Sequence, residues 1–209
     1  SPMLGTGMVK LSTEAPLYLV DPRRSLYKRE PKLKVYPVTV VNLFGRLGNF
    51  ENEFSSGFVV GLPNTTYSFA NDKVVVGNTS LCLTKTISSY TDIQITSRGT
   101  LSNPLTIGNK YFFSVWVYTT KTMTDGCRTE VGTGPYDVAY LQGTKTANQF
   151  NKLFCSISVN YTGPIYLTIT QEDASTASYV WLDGYMVVDL TRMGVLPPPL
   201  KEYFNNVPS

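Results

Sequence analysis

Tyr179-Val180-Trp181-Leu182-Asp183-Gly184-Tyr185-Met186-Val187-Val188-Asp189-Leu190-Thr191 is the stretch on which the fold of this chain turns. Val180 and Leu182 alternate with Tyr179, Trp181 and Asp183, the two-residue period of a strand with one buried face. Three consecutive prolines follow at Pro197, Pro198 and Pro199. They lack amide donors, so they can neither extend a ladder nor sit inside a helix. The chain closes a sheet here and leaves it through a short end containing Lys201, Glu202, Tyr203 and Phe204.

The same alternation recurs upstream. Over Lys110 to Thr119, Tyr111, Phe113, Val115 and Val117 take one face, and Phe112, Ser114, Trp116 and Tyr118 take the other. Phe150 to Val159, with Leu153, Cys155, Ile157 and Val159 inward, and Ile165 to Thr170 read the same way, as does Thr91 to Thr96. Thr66 to Phe69, Val74 to Val76, Ser80 to Thr84 and Val138 to Gln142 are shorter strand candidates. Asn71-Asp72 and Gly77-Asn78 mark bends, and Tyr161-Thr162-Gly163-Pro164 a turn. Thr119 to Pro135, with Asp125-Gly126 and Gly132-Thr133-Gly134-Pro135, reads as loop. No helix-period run of ordinary length lies between residues 38 and 190. About eight to ten strands at roughly ten-residue spacing predict an all-β sandwich or jelly roll.

Composition agrees. Aromatic residues make up 12% of the 209 residues, with 14 Tyr, and charged residues only 16%; this balance suits twisted sheets and sugar-stacking surfaces. The net charge of +3 is too small for a nucleic-acid-binding surface. With no histidine, the Ser-His and Cys-His nucleophile arrangements are excluded, and carboxylate pairs remain the main catalytic option. Cys82, Cys127 and Cys155 are odd in number and lack metal-ligand spacing, which predicts buried or idle thiols rather than a bridge. No apolar run approaches the length of a membrane span.

Residues 1–38 differ from the rest, with Arg23, Arg24, Lys28, Arg29, Lys32 and Lys34 set among Pro16, Pro22, Pro31 and Pro37. They read as an extended basic arm, a linker or a docking segment. The compact part is 39–191, and 192–209 forms a C-terminal extension.

The closing stretch resembles the last strand of carbohydrate-binding jelly-roll modules appended to bacteriophage tail and baseplate proteins. Asp189-Leu190-Thr191, Gly194, Pro199 and Lys201-Glu202 follow that family's order, with Leu196-Pro197-Pro198-Pro199 in place of its usual Gly-Asn-Glu-Pro turn. Asn42-Leu43-Phe44-Gly45 and Gly48-Asn49-Phe50-Glu51 resemble its opening. Gly108, Tyr111, Ser114, Trp116 and Val117 resemble its Gly-x-x-Tyr-x-x-Ser-x-Trp-Val strand. The resemblance covers residues 40–191.

It implies a jelly-roll β-sandwich behind the arm, with the first and last strands as neighbours. It also implies a non-catalytic domain of a tail, fibre or baseplate that binds host cell-surface carbohydrate outside the cell. Homo-oligomers, commonly trimers, and contacts with other virion tail proteins belong to the same expectation, without nucleic acid or membrane insertion. In such modules the Glu of the opening turn and the Asp of the closing strand help to hold a structural Ca2+, here Glu51 and Asp183, and Asn49 could offer a carbonyl. The alternative is that Glu51 is a solvated turn residue and Asp183 caps a bend.

Trp116 and Tyr118 lie opposite a full apolar set, so they need a second covering layer or a ligand. A sugar ring stacks its C–H groups on an aromatic plane while its hydroxyls bond nearby amides and carboxylates. Tyr136, Asp137, Tyr140, Gln142 and Trp181 are further candidates for that site, and core packing of Trp116 is the competing explanation. Away from the arm and the metal pair, the carboxylates that are candidates for catalysis are Glu130, Asp137, Glu172 and Asp173. Glu172-Asp173 reads as a solvated turn rather than an acid/base pair, and no residue is expected to be catalytic. Two further readings stay open: a structural virion protein with protein-only contacts, and an accessory module of a secreted glycosidase.

Overall fold

The computed structural model describes residues 42–51 (Arg46 as backbone only), 65–85, 105–122, 127–169 and 179–192, together with the backbone of 4–7, 18–21, 24–28, 38–41, 58–60, 91–97 and 170–171. The strands are β1 (Leu4–Gly7), β2 (Tyr18–Asp21), β3 (Arg24–Lys28), β4 (Val38–Val41), β5 (Phe58–Val60), β6 (Thr65–Ala70) and β7 (Ser80–Lys85). They continue with β8 (Thr91–Ser97), β9 (Lys110–Thr119), β10 (Cys127–Gly132), β11 (Tyr136–Tyr140), β12 (Phe150–Ser158), β13 (Ile165–Gln171) and β14 (Tyr179–Asp189). The helical turn among the described residues is a 3-10 turn, Gly45–Asn49.

The chain divides into two units. The smaller comprises Leu4–Val40 and Leu196–Val207. Strand pairing reaches into the Pro-rich segment 1–38: β1 neighbours β4, and β2 pairs antiparallel with β3, Tyr18 opposite Lys28. The prolines at 197–199 and the end at 201–204 lie outside the described residues.

The larger unit, built on Val41–Val195, is a jelly-roll sandwich of two five-stranded sheets, ordered β12-β9-β14-β7-β6 and β11-β10-β13-β8-β5. Neighbouring strands in both sheets run antiparallel. Alternation decides which side chains meet between them. Tyr111, Phe113, Val115 and Val117 of β9 and Leu153, Cys155 and Ile157 of β12 join Val131 of β10 and Ile165, Leu167 and Ile169 of β13 in one core. Deleting a large side chain from such a core typically costs about 3–5 kcal/mol.

The two ends of the unit meet as expected. Leu43 N–H donates to the Val187 carbonyl at 2.8 Å, and the Phe44 and Tyr185 rings lie 4.4 Å apart. Phe50 and Leu182 are both fully buried in the common core.

Two expectations need correction. Thr119 to Pro135 is not all loop, because Cys127–Gly132 is β10, a strand inside its sheet that pairs with both β11 and β13. Val74 to Val76 is not a strand: the Val75 and Val76 N–H groups donate to the Asp183 carboxylate at 2.7 and 2.9 Å instead of to a ladder. All three cysteines are free and buried, as their spacing suggested.

Candidate functional site

The candidate aromatic residues fall on two opposite surfaces of the sandwich. Trp116 and Tyr118 stand on the outer face of the β9 sheet. Tyr136 and Tyr140 stand on the outer face of the β10 sheet, since Asp137 and Ala139 between them turn inward. The structure therefore does not unite the seven candidate residues into one site.

The outer face of the β9 sheet is largely covered. Phe112, Ser114 and Val188 on it are buried, and Trp181 is 7% exposed. Tyr118 meets Trp181 edge-on at 5.3 Å and Phe150 at 5.5 Å, and the Lys73 ammonium sits 4.3 Å over the Trp181 ring. Trp116 is half-buried against the bulge at Gly184, which adopts φ 54°; a Cβ there would lie 3.1 Å from the indole Cδ1. Burial lowers Lys152, opposite Trp116 in the register, to about 8, the behaviour of an ammonium kept from water. Trp116, Tyr118 and Trp181 are held by neighbouring groups, and the exposed ring on this face is Tyr179, 40% exposed and stacked on Trp181 at 5.6 Å.

The outer face of the β10 sheet is different. Tyr136, Val138 and Tyr140, at alternate positions of the edge strand β11, are 45%, 48% and 60% exposed. In the register Gly132 of β10 lies opposite Tyr136, Glu130 opposite Val138 and Arg128 opposite Tyr140. With glycine in between, the Tyr136 ring reaches over β10 to meet Tyr166 of β13 edge-on at 5.8 Å. Arg128 Nε donates to Glu130 Oε1 at 2.9 Å, placing donors and acceptors beside the rings. Exposed aromatic planes flanked by an Arg–Glu pair suit a ligand with an apolar face and a polar rim.

Asp137 and Gln142 serve the framework. Asp137 Oδ2 accepts the Asn160 and Tyr161 N–H groups at 2.6 and 2.8 Å, and Oδ1 accepts the Asn160 side-chain amide at 2.9 Å. Burial alone pushes this carboxyl up, but the three hydrogen bonds outweigh it and hold it below the ordinary carboxylate value. Gln142 exchanges backbone hydrogen bonds with Phe154, tying the end of β11 to β12, and its side chain returns to the Tyr140 carbonyl. Glu130 points outward and Asp137 inward, so these two carboxyls do not face each other across a cleft. Glu172 and Asp173 lie outside the described residues.

Glu51 and Asp183 converge on one loop, 75–79. Asp183 accepts Val75, Val76 and Gly184 N–H groups, and Glu51 Oε1 accepts the Asn78 N–H at 2.7 Å. Burial, followed by the nearby charge of Glu51, raises Asp183 against the pull of its three N–H donors. The oxygens of both carboxylates already accept N–H donors, so a hard cation at this place would have to share them with the loop amides. Asn49, half-buried at the end of the 3-10 turn, is close in sequence to Glu51. Among the described residues no group of three or more His, Cys, Asp or Glu converges, so backbone carbonyls would have to complete the shell.

Tyr166, Arg128, Glu130 and Tyr161 belong to the exposed surface although the sequence did not single them out as ligand-binding. Alternation within Ile165–Thr170 did place Tyr166 outward. Tyr161 and the Arg–Glu pair carried no such signal.

No protein-family model matches the chain, and no curated protein does. Solved structures do. The C-terminal family 22 carbohydrate binding module of Clostridium thermocellum Xyn10B matches with a TM-score of 0.51 at 15% identity, over 72% of this chain and 93% of that one. The fold is shared with carbohydrate-binding modules. Family 16 Carbohydrate Binding Module-2 gives 0.51 at 15% identity, over 71% of this chain and 100% of that one. A xylan-binding domain from CBM 22 gives 0.50 at 14%, over 72% and 95%. In the longer Clostridium thermocellum Xyn10B chain of CBM22-1 and GH10 modules, complexed with xylohexaose, the match spans 27% of the length at a TM-score of 0.50 and 14% identity. It spans 23% of the MgGH51 arabinofuranosidase chain.

Proposed function

We propose that this domain binds carbohydrate without catalysing its cleavage, and that the sugar stacks on Tyr136, Tyr140 and Tyr166 with Arg128 and Glu130 at its hydroxyls. The observation that carries this reading is the exposure of the β11 tyrosines on an otherwise ordered sheet face, while Trp116 and Trp181 opposite are packed. The likeness of fold to carbohydrate-binding modules supports it. A single shallow face binds weakly, and several copies convert weak contacts into lasting attachment.

We further propose Ca2+ held by Glu51 and Asp183, with a carbonyl such as that of Asn49. Its role is structural: it neutralises the paired carboxylates and pins the 75–79 loop to β14.

The setting proposed is a bacteriophage tail, fibre or baseplate, acting outside the cell on host surface glycan as a homo-oligomer, a trimer being the family's common form, and in contact with other tail proteins. The motif order at Asn42–Glu51, Gly108–Val117 and Asp183–Thr191 supports it. An accessory module of a secreted glycosidase fits the fold equally, since the same fold occurs in the Xyn10B chain beside a GH10 module.

The test is retention of the folded domain on a glycan array, on insoluble xylan and on bacterial cell walls. Retention on cell walls alone favours the phage setting, and retention on xylan favours the accessory module. Silence on all three overturns the carbohydrate reading and leaves a structural protein with protein-only contacts.

A further inference from the structure

We infer that Asp137 is a positioning residue, setting Tyr161 as a third ring at the Tyr136 end of the β11 row, so that the face takes a linear oligosaccharide rather than a single sugar. The inference rests on the carbohydrate reading above and assigns that site its length preference.

Tyr161 lies between β12 and β13, where no ladder fixes it. What fixes it is the Asp137 carboxylate, which takes the backbone N–H groups of Asn160 and Tyr161 and the Asn160 side-chain amide. Asp137 is buried, and hydrogen bonds to an ionised acceptor in such a place are short and strong. The turn packs closely on Gly132. A Cβ at Gly163 would lie 3.1 Å from Gly132 Cα, while one at Gly132 would meet the Pro135 carbonyl oxygen at 2.6 Å and touch Tyr161 Cβ at an ordinary 3.4 Å. The turn therefore rests on β10 at the register position of Tyr136. Tyr161, 38% exposed, has its Cβ 3.4 Å from the position a Gly132 Cβ would take, and Tyr136 Cα borders the same position at 3.5 Å, where β11 has no further residue to offer.

Along β11, Tyr136 and Tyr140 are about 13 Å apart by the rise of a strand. That separation exceeds one sugar ring, and Tyr161 lengthens the row. Arg128 and Glu130 flank it on the neighbouring strand, opposite Tyr140 and Val138. Tyr161, Tyr136 and Tyr140, with Tyr166 edge-on to Tyr136 and paired donors and acceptors at their border, match an extended chain lying along the strand.

Calorimetry with di-, tetra- and hexasaccharides of the xylose and cellobiose series tests this. Affinity should climb with length in the wild type. Tyr161→Ala should lower hexasaccharide affinity about tenfold, as loss of one aromatic anchor does, and leave the disaccharide unchanged, whereas Tyr161→Phe keeps the wild-type profile. Asp137→Asn, checked for folding by urea unfolding, should reproduce the length-selective loss. Hydrogen exchange should show the Asn160 and Tyr161 amides protected in the wild type and released in that variant.

Wild-type affinity of Tyr161→Ala at every length, with Tyr136→Ala impaired, overturns the inference and leaves the carbohydrate reading standing. So does a loss equal at all lengths. Unprotected amides in the wild type overturn the positioning role. Wild-type silence toward every length defeats the inference together with its parent reading.

Discussion

The Asn42 side-chain oxygen accepts the Val187 N–H at 3.1 Å, joining two residues 145 positions apart. The same oxygen accepts the Phe44 N–H at 3.1 Å, and the Asn42 amide donates to the Tyr185 carbonyl at 3.1 Å. One side chain thus staples the opening turn to the closing strand where backbone pairing alone is sparse. Asn42→Ala is expected to cost about 1–3 kcal/mol, because three backbone groups lose their partner. Urea unfolding checks it through a lower midpoint at unchanged slope; an unchanged midpoint contradicts it.

Asp137 makes the stability pH-dependent in a known direction. Its hydrogen bonds hold its folded pKa below the unfolded carboxylate value of about 3.9. Its contribution is therefore complete above that value and is lost as pH falls through the lower folded one. The stability difference between wild type and Asp137→Asn should be steady from about pH 7 to about pH 5 and shrink below about pH 4. A difference that grows on acidification would falsify this.

Calcium binding at Glu51 and Asp183 predicts a metal-dependent melting temperature. At a concentration about a hundred times Kd, Ca2+ should raise Tm by about 5–10 °C. Chelator should reverse the gain, and Glu51→Ala with Asp183→Ala should abolish it. A wild-type Tm indifferent to both calcium and chelator removes the metal.

The thiols should be silent in the folded protein. Burial pushes Cys155 up to about 12 and raises Cys82 as well, and Cys127 is fully buried. A thiol kept protonated and covered does not attack a disulfide reagent. Ellman's reagent should label none of the three in buffer and all three in denaturant; prompt labelling of any one in buffer contradicts the packing.

The main strands were legible because β9, β12, β13 and β14 alternate large apolar residues with others over many positions. β10 was hidden because Cys127, Thr129 and Val131 form a small inward set, broken by Arg128 and Glu130 and followed at once by a glycine turn. Val74 to Val76 carried β-branched side chains, yet two of its amides serve Asp183, a partner far away in the chain. Periodicity showed that Trp116 and Tyr118 share a face, but Tyr136 lay outside the expected strand Val138 to Gln142, and only the structure puts it on one face of β11 with Tyr140. Nor could it show that the two pairs belong to different sheets, which depends on β11 pairing with β10 and β12 with β9. The role of Asp137 depends on a turn 23 residues away, and no local pattern reveals it.

The most direct measurement is the affinity of Tyr136→Ala and Tyr140→Ala, beside Trp116→Phe, for the glycan that retains the wild type. Each tyrosine variant should fold normally and bind about tenfold more weakly, while Trp116→Phe binds as the wild type does. Full binding by both tyrosine variants, with loss confined to Trp116→Phe, would place the sugar on the opposite sheet and contradict the account.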